Sequence, residues 1–124
     1  MGMNILIIDD EELIVRSLVK LLGKHGFKTF VARGCSDALE LVEDINFDLI
    51  ISDVRMPGVS GVEIVKNIYE IWGRRGLAKS PVIFITGYAH EDCERDAETL
   101  KPSGYIYKPF DISDLIEKIK EVLM

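Results

Sequence analysis

Asn4-Ile5-Leu6-Ile7-Ile8 is an unbroken apolar run that ends in Asp9-Asp10. The same device recurs along the chain. Leu49-Ile50-Ile51-Ser52 leads into Asp53, Val82-Ile83-Phe84-Ile85 into Thr86, and Tyr105-Ile106-Tyr107 into Lys108-Pro109. Short continuous apolar runs that stop at polar residues are the pattern of strands buried on both faces, as in a parallel sheet. As strands of one such sheet, these runs share a single C-terminal edge. That edge then holds three carboxylates, a hydroxyl and an ammonium.

Working outward from the first run, strand and helix patterns alternate. Ile14, Leu18, Leu21 and Leu22 fall at i, i+4, i+7 and i+8, one face of a helix, with Gly23 and Gly26 as its C-terminal caps. Residues 28–32 alternate weakly and read as a second strand nearer a sheet edge. Ala38, Leu41, Val42 and Ile45 mark a second helix with Ser36 as N-cap, and residues 48–52 a third strand. After a loop at Pro57-Gly58, Ser60 and Glu63 form a capping box for a third helix carrying Ile64, Ile68, Ile71 and Trp72 on one face. Gly73-Arg74-Arg75-Gly76 begins a basic loop before the fourth strand. The fourth helix is thin, with only Cys93, Ala97 and Leu100 apolar, and Pro102 stops it near Leu100. The fifth places Leu115, Ile119, Val122 and Leu123 together behind Asp111 as N-cap. Five strands alternating with five helices predict a doubly wound α/β fold, because parallel strands need crossovers and crossovers cover both faces. Such sheets bind ligands outside the carboxyl ends of their strands, where the charged residues fall.

Bulk properties narrow the function. At 124 residues the chain suits one domain, spanning residues 1–124, with a single buried core. A net charge of −6 argues against direct nucleic-acid binding, which needs a basic patch. Cys35 and Cys93 are too few for a disulfide framework or a zinc site and read as reduced thiols in a cytoplasmic protein. No apolar stretch approaches the ~20 residues of a membrane span, and the first strand starts too early to leave room for a signal peptide. His25 and His90 lack ligand-spaced neighbours and read as surface residues.

Asp9, Asp10 and Asp53 repel one another unless positive charge is supplied. A hard divalent cation suits an all-oxygen set facing a phosphate, and Mg²⁺ is the natural choice. With the metal and Lys108 beside it, Asp53 becomes a carboxylate nucleophile able to accept a phosphoryl group. Both cations offset charge on the equatorial oxygens in the transition state, and Thr86 donates its hydroxyl to one of those oxygens. Taken singly, these residues have blander readings: an Asp pair as a helix cap, Asp53 as an Asx-turn residue, Lys-Pro as an ordinary turn. Their joint order at four strand ends is what carries the chemistry.

In that order the chain resembles the receiver domains of two-component response regulators. The resemblance covers essentially the whole chain and rests on Asp9-Asp10-Glu11 after the first strand, Asp53-Val-Arg-Met-Pro57-Gly58, Thr86-Gly87, and Tyr105-Ile-Tyr-Lys108-Pro109-Phe110. It implies a flavodoxin-like strand order 2-1-3-4-5. Asp53 is then the phosphoacceptor and Asp10 a direct Mg²⁺ ligand. Asp9 acts through a bound water, and the backbone carbonyl of Arg55 is a further ligand. Thr86 becomes the switch hydroxyl, Lys108 the site lysine, and Tyr105 the aromatic whose ring turns inward when Thr86 moves.

The implied partners are a sensor histidine kinase or histidine phosphotransfer protein, and a downstream effector reached through helix 4, strand 5 and helix 5. No membrane is implied, no turnover of an external substrate is expected, and a phosphorylation-dependent homodimer stays open. Two departures stand out. Lys101 and Pro102 replace the Gly-Ala usual before the switch aromatic, predicting a stiffer exit from helix 4. Arg55 and Tyr88 occupy the positions that tune phosphoryl lifetime, and their bulk predicts slow dephosphorylation.

The alternative is a Mg²⁺-dependent phosphatase with an Asp nucleophile. Such enzymes carry a second Asp two residues on, where this chain has Arg55. A flavodoxin-like cofactor binder fits worse still, since residues 9–12 are all acidic and repel a phosphate. The acidic stretch at residues 90–101, with five acids against two bases, reads as a solvated helix face or as part of the reporting surface. The sequence is compatible both with a stand-alone receiver and with a domain of a longer regulator.

Overall fold

The computed structural model describes residues 2–56, 58–87 and 91–123. The order is β1 (Asn4–Ile8), α1 (Glu12–Lys24), β2 (Lys28–Ala32), α2 (Cys35–Asp44), β3 (Leu49–Asp53), α3 (Gly61–Arg74), β4 (Val82–Thr86), α4 (Glu91–Glu98), β5 (Gly104–Tyr107) and α5 (Ile112–Leu123). All strand pairs are parallel, in the order β2-β1-β3-β4-β5. The doubly wound α/β fold expected from the alternation is what forms. β2, the weakly alternating segment, is an edge strand, and every residue of β3 and β4 is buried.

Period-two alternation along the strands divides the core into two layers. Leu6, Ile8, Ile50, Val82 and Phe84 face α2 and α3, meeting Ala38, Val42, Ile64, Ile68 and Trp72. Ile5, Ile7, Leu49, Ile51, Ile83 and Ile85 face α1 and α5, meeting Leu18, Leu22, Leu115 and Ile119. Each fully buried side chain of this kind contributes about 1.5–3 kcal/mol through removal from water. The packing holds the strand ends, and therefore the charged residues, in register.

Several boundaries differ from those the sequence suggests. Gly23 lies inside α1, and the helix closes through Gly26 alone, at φ +85°, with Phe27 N–H donating to the Leu22 carbonyl at 3.0 Å. Ser36 is not the N-cap of α2, because the helix begins two residues earlier, at Cys35 with Gly34 as cap. β3 runs one residue later than expected and takes Asp53 as its last residue. Gly73 and Arg74 belong to α3, which closes at Gly76 (φ +71°). Arg75 then reaches across to α2, its Nη1 donating to the Val42 and Glu43 carbonyls at 3.4 and 3.2 Å. The basic residue thus satisfies carbonyls that a helix C-terminus leaves open. The Ser60 cap is as expected, its hydroxyl accepting from Glu63 N–H at 3.2 Å. Asp111 precedes α5, and its carbonyl accepts from Asp114 N–H at 3.0 Å. Among the described residues no helix is long and apolar enough to cross a membrane.

Candidate functional site

β1 and β3 pair in register from Ile5↔Leu49 to Ile8↔Ser52, so Asp9 and Asp53, each next in its chain, emerge side by side. Asp9 is 1% exposed and Asp53 3%. Carboxylate oxygens of Asp9, Asp10 and Asp53 lie within 4.8 Å of one another, with Asp10 the exposed member. Asp9 Oδ1 accepts from Glu11 N–H at 2.9 Å, and Asp53 Oδ1 accepts from Arg55 N–H at 3.2 Å. The N-cap of α1 is Glu11, with no side-chain cap hydrogen bond, so Asp9 is not the helix cap of its blander reading; like Asp53 it accepts from the backbone N–H two residues on, as in an Asx-turn. Each does so with one oxygen only, leaving the other for the site.

The second oxygens have different surroundings. Asp53 Oδ2 accepts from Lys108 Nζ at 3.0 Å. Lys108 is set by β5, and its N–H donates to the Thr86 carbonyl at 2.8 Å, which ties it to the end of β4. Asp9 Oδ2 is buried and meets no donor among the described residues. A buried carboxylate oxygen without a donor is costly, and a cation beside it removes the cost. The donor set is all oxygen, as a hard divalent ion requires, so the residues present fit Mg²⁺.

Electrostatics agree with this geometry. Burial pushes the Asp9 carboxyl up to about 6, reinforced by Asp53 and opposed by the Glu11 amide. Burial likewise raises Asp53 above the ordinary carboxylate value, opposed by the hydrogen bond and charge of Lys108. For Lys108, burial acts to lower the pKa, but the hydrogen bonds it gives to Glu11 and Asp53 outweigh that and leave it raised. The site is short of positive charge even with the lysine in place.

The remaining predicted residues take up distinct positions. Thr86 is 3% exposed at the end of β4. Tyr105 lies on the neighbouring strand, its ring stacked on Phe84 at 6.2 Å between centroids and its hydroxyl donating to Glu98 Oε1 of α4 at 2.9 Å. The ring thus sits against α4. Arg55 is exposed and lines a cleft of about 630 Å³ with Glu11, Asp53, Lys108 and Phe110. Tyr88 and His90 fall outside the described residues.

Two residues of the site carry no role in the sequence reading. Glu11 Oε1 sits 2.5 Å from Lys108 Nζ, across from Asp53. Gly61 starts α3 against the end of β3, where a Cβ would overlap the Asp53 carbonyl and lie 2.5 Å from Ser52 Oγ. The signals were present: a third acid directly after the Asp pair, and a glycine in a helix's first turn, where propensity disfavours it.

Residues 5–120 match the response regulator receiver domain. The regulatory protein AtoC of Escherichia coli (strain K12) is 34% identical over 112 residues, covering 90% of this chain and 23% of that protein. Sporulation initiation phosphotransferase F of Bacillus subtilis (strain 168) is 32% identical over 123 residues, covering 99% and 95%. A receiver domain protein (CheY-like) from Methanospirillum hungatei JF-1 superposes with a TM-score of 0.87 at 30% identity, over 99% of this chain and 94% of that one. The chain spans between 23% and 57% of the length of several other curated relatives and nearly all of the B. subtilis one. From the match over residues 5–120 and the shared fold, the chain belongs to the response regulator receiver domain family, the phosphoacceptor switches of two-component signalling.

Proposed function

We propose that Asp53 is the phosphoacceptor of this receiver, taking the phosphoryl group of a phosphohistidine on a sensor histidine kinase or histidine phosphotransfer protein. The observation that carries this reading is Lys108 Nζ at 3.0 Å from Asp53 Oδ2, beside the Asp9–Asp10–Asp53 oxygen cluster. An Asp53 oxygen attacks phosphorus and the P–N bond breaks. Its electron pair returns to the imidazole, which takes a proton. Lys108 supplies charge to the equatorial oxygens and Thr86 a hydroxyl. Mg²⁺ held by Asp10, Asp53 and the Arg55 carbonyl, with Asp9 acting through water, would neutralise the rest of the developing charge. Hydrolysis reverses the state when water attacks phosphorus and the bond to Asp53 breaks.

On this reading residues 1–124 act as one receiver unit whose product is its own modified state. Tyr105 turns inward as Thr86 moves, and the α4–β5–α5 face reports the change to an effector. Incubation with Mg²⁺ and a small phosphodonor, followed by mass spectrometry, tests the acceptor. Wild type gains one phosphoryl group and Asp53→Ala gains none; absence of gain in both overturns the reading. Arg55 at the cleft rim slows the attacking water, and so does Tyr88, which occupies the second lifetime-tuning position of the family pattern. Arg55→Ala and Tyr88→Ala are therefore expected to shorten the phosphoryl lifetime, and unchanged decay would refute that part.

A further inference from the structure

Among the described residues four acidic side chains surround the site, and Asp9, Asp10 and Asp53 form its oxygen cluster. The fourth, Glu11, is the residue at which the chain enters α1. Its Oε1 lies 2.5 Å from Lys108 Nζ, while the same ammonium reaches Asp53 Oδ2 at 3.0 Å. The two anchors differ in setting: the Glu11 side chain is 54% exposed and that of Asp53 5%. Lys108 is therefore shared between a buried carboxylate that belongs to the proposed reaction and a half-exposed carboxylate that does not.

An ammonium is a single point charge, so its two carboxylate partners compete for it. A phosphoryl group on Asp53 brings more negative charge and further strong acceptor oxygens, and draws Lys108 to that side. Glu11 then loses its partner and faces a like charge. Its pairing lowers the free energy of the unphosphorylated state, and its stranded charge raises that of the phosphorylated one. Both effects have the same sign.

We propose that Glu11 is a positioning residue that holds Lys108 in the unphosphorylated arrangement and thereby weakens the site's hold on a phosphoryl group. The proposal rests on Asp53 as acceptor and adds a resting-state competitor for its lysine. Beryllofluoride with saturating Mg²⁺, a stand-in for the phosphoryl group, provides the test by titration calorimetry on the full chain. Glu11→Gln is expected to bind about three- to fivefold more tightly than wild type, the scale of a partly exposed ion pair. In a Lys108→Ala background the gain is expected to shrink to less than about twofold, the remainder left by like-charge repulsion, because the pairing effect runs through the lysine.

Unchanged or weaker binding by Glu11→Gln overturns the proposal, as does an equal gain in the Lys108→Ala background. Glu11→Asp gives a second check if the lysine variant binds too weakly to measure. It keeps the charge but withdraws it from Nζ, so it gains affinity if pairing matters and stays at the wild-type value if only charge does. Phosphorylation of wild type at Asp53 with no effect of Glu11→Gln removes this proposal alone. Failure of wild type to take a phosphoryl group removes both.

Discussion

Gly61 is buried between the Ser60 cap and Val62, and the space its missing side chain leaves is filled by the backbone of Asp53. Backbone cannot rotate aside as a side chain can. Gly61→Ala is therefore expected to lose about 1–3 kcal/mol in denaturant unfolding, the cost of overpacking, despite the better helix propensity of alanine. An unchanged midpoint would show that α3 shifts freely. Asp9 illustrates the opposite trade, function against stability. The folded protein holds its proton up to about pH 6, and the unfolded chain releases it near 3.8. The stability this contributes is full below pH 3.8 and is lost as the pH rises through the folded pKa. Asp9→Asn is thus expected to stabilise the metal-free protein at pH 7.5, by on the order of 2–3 kcal/mol, and to bind Mg²⁺ more weakly. Thermal unfolding with and without Mg²⁺ checks both, and a destabilised Asn variant contradicts the cost assigned to Asp9.

At the scale of elements, the α4–β5 connection is where the sequence reading and the structure diverge most usefully. The Lys101-Pro102 pair predicts a stiff exit from α4, and Lys101 adopts φ +51°, a left-handed conformation uncommon for a residue with a Cβ. Leu100 lies beyond the helix, which ends at Glu98, so the thin apolar face is shorter than its spacing suggests. Glu98 is the last residue of α4 and accepts the Tyr105 hydroxyl at 2.9 Å. Glu98→Ala removes that acceptor and is expected to favour the inward Tyr105, tightening beryllofluoride–Mg²⁺ binding about two- to fivefold. Equal affinities would separate Glu98 from the switch. This hydrogen bond was not legible in the sequence, because Glu98 is one of five acids in residues 90–101 and no periodicity singles it out. The strands were legible for the converse reason: burial on both faces leaves unbroken apolar runs, and each run ends where the charge begins.

For the whole molecule, Mg²⁺ is expected to raise the unfolding temperature more at pH 7.5 than at pH 5, since the raised carboxyls of Asp9 and Asp53 must lose protons to serve a cation. At tenfold excess over Kd the gain is about 1.4 kcal/mol, and an equal shift at both pH values would contradict the assignment. The acid and lysine positions of this site were readable from strand ends alone. Glu11 and Gly61 were not, because their contacts depend on how α1 and α3 pack rather than on where strands stop. Gly61 has a further consequence. Backbone packs on backbone where α3 meets β3, and Gly61 N–H donates to the Val54 carbonyl at 2.9 Å, so the joint is expected to be stiff. On the proposed reading of Asp53 as phosphoacceptor, a push originating there is expected to find little give on that side. It is expected to run toward β4, β5 and α4 instead, so a residue that carries no charge would set the direction in which the molecule yields.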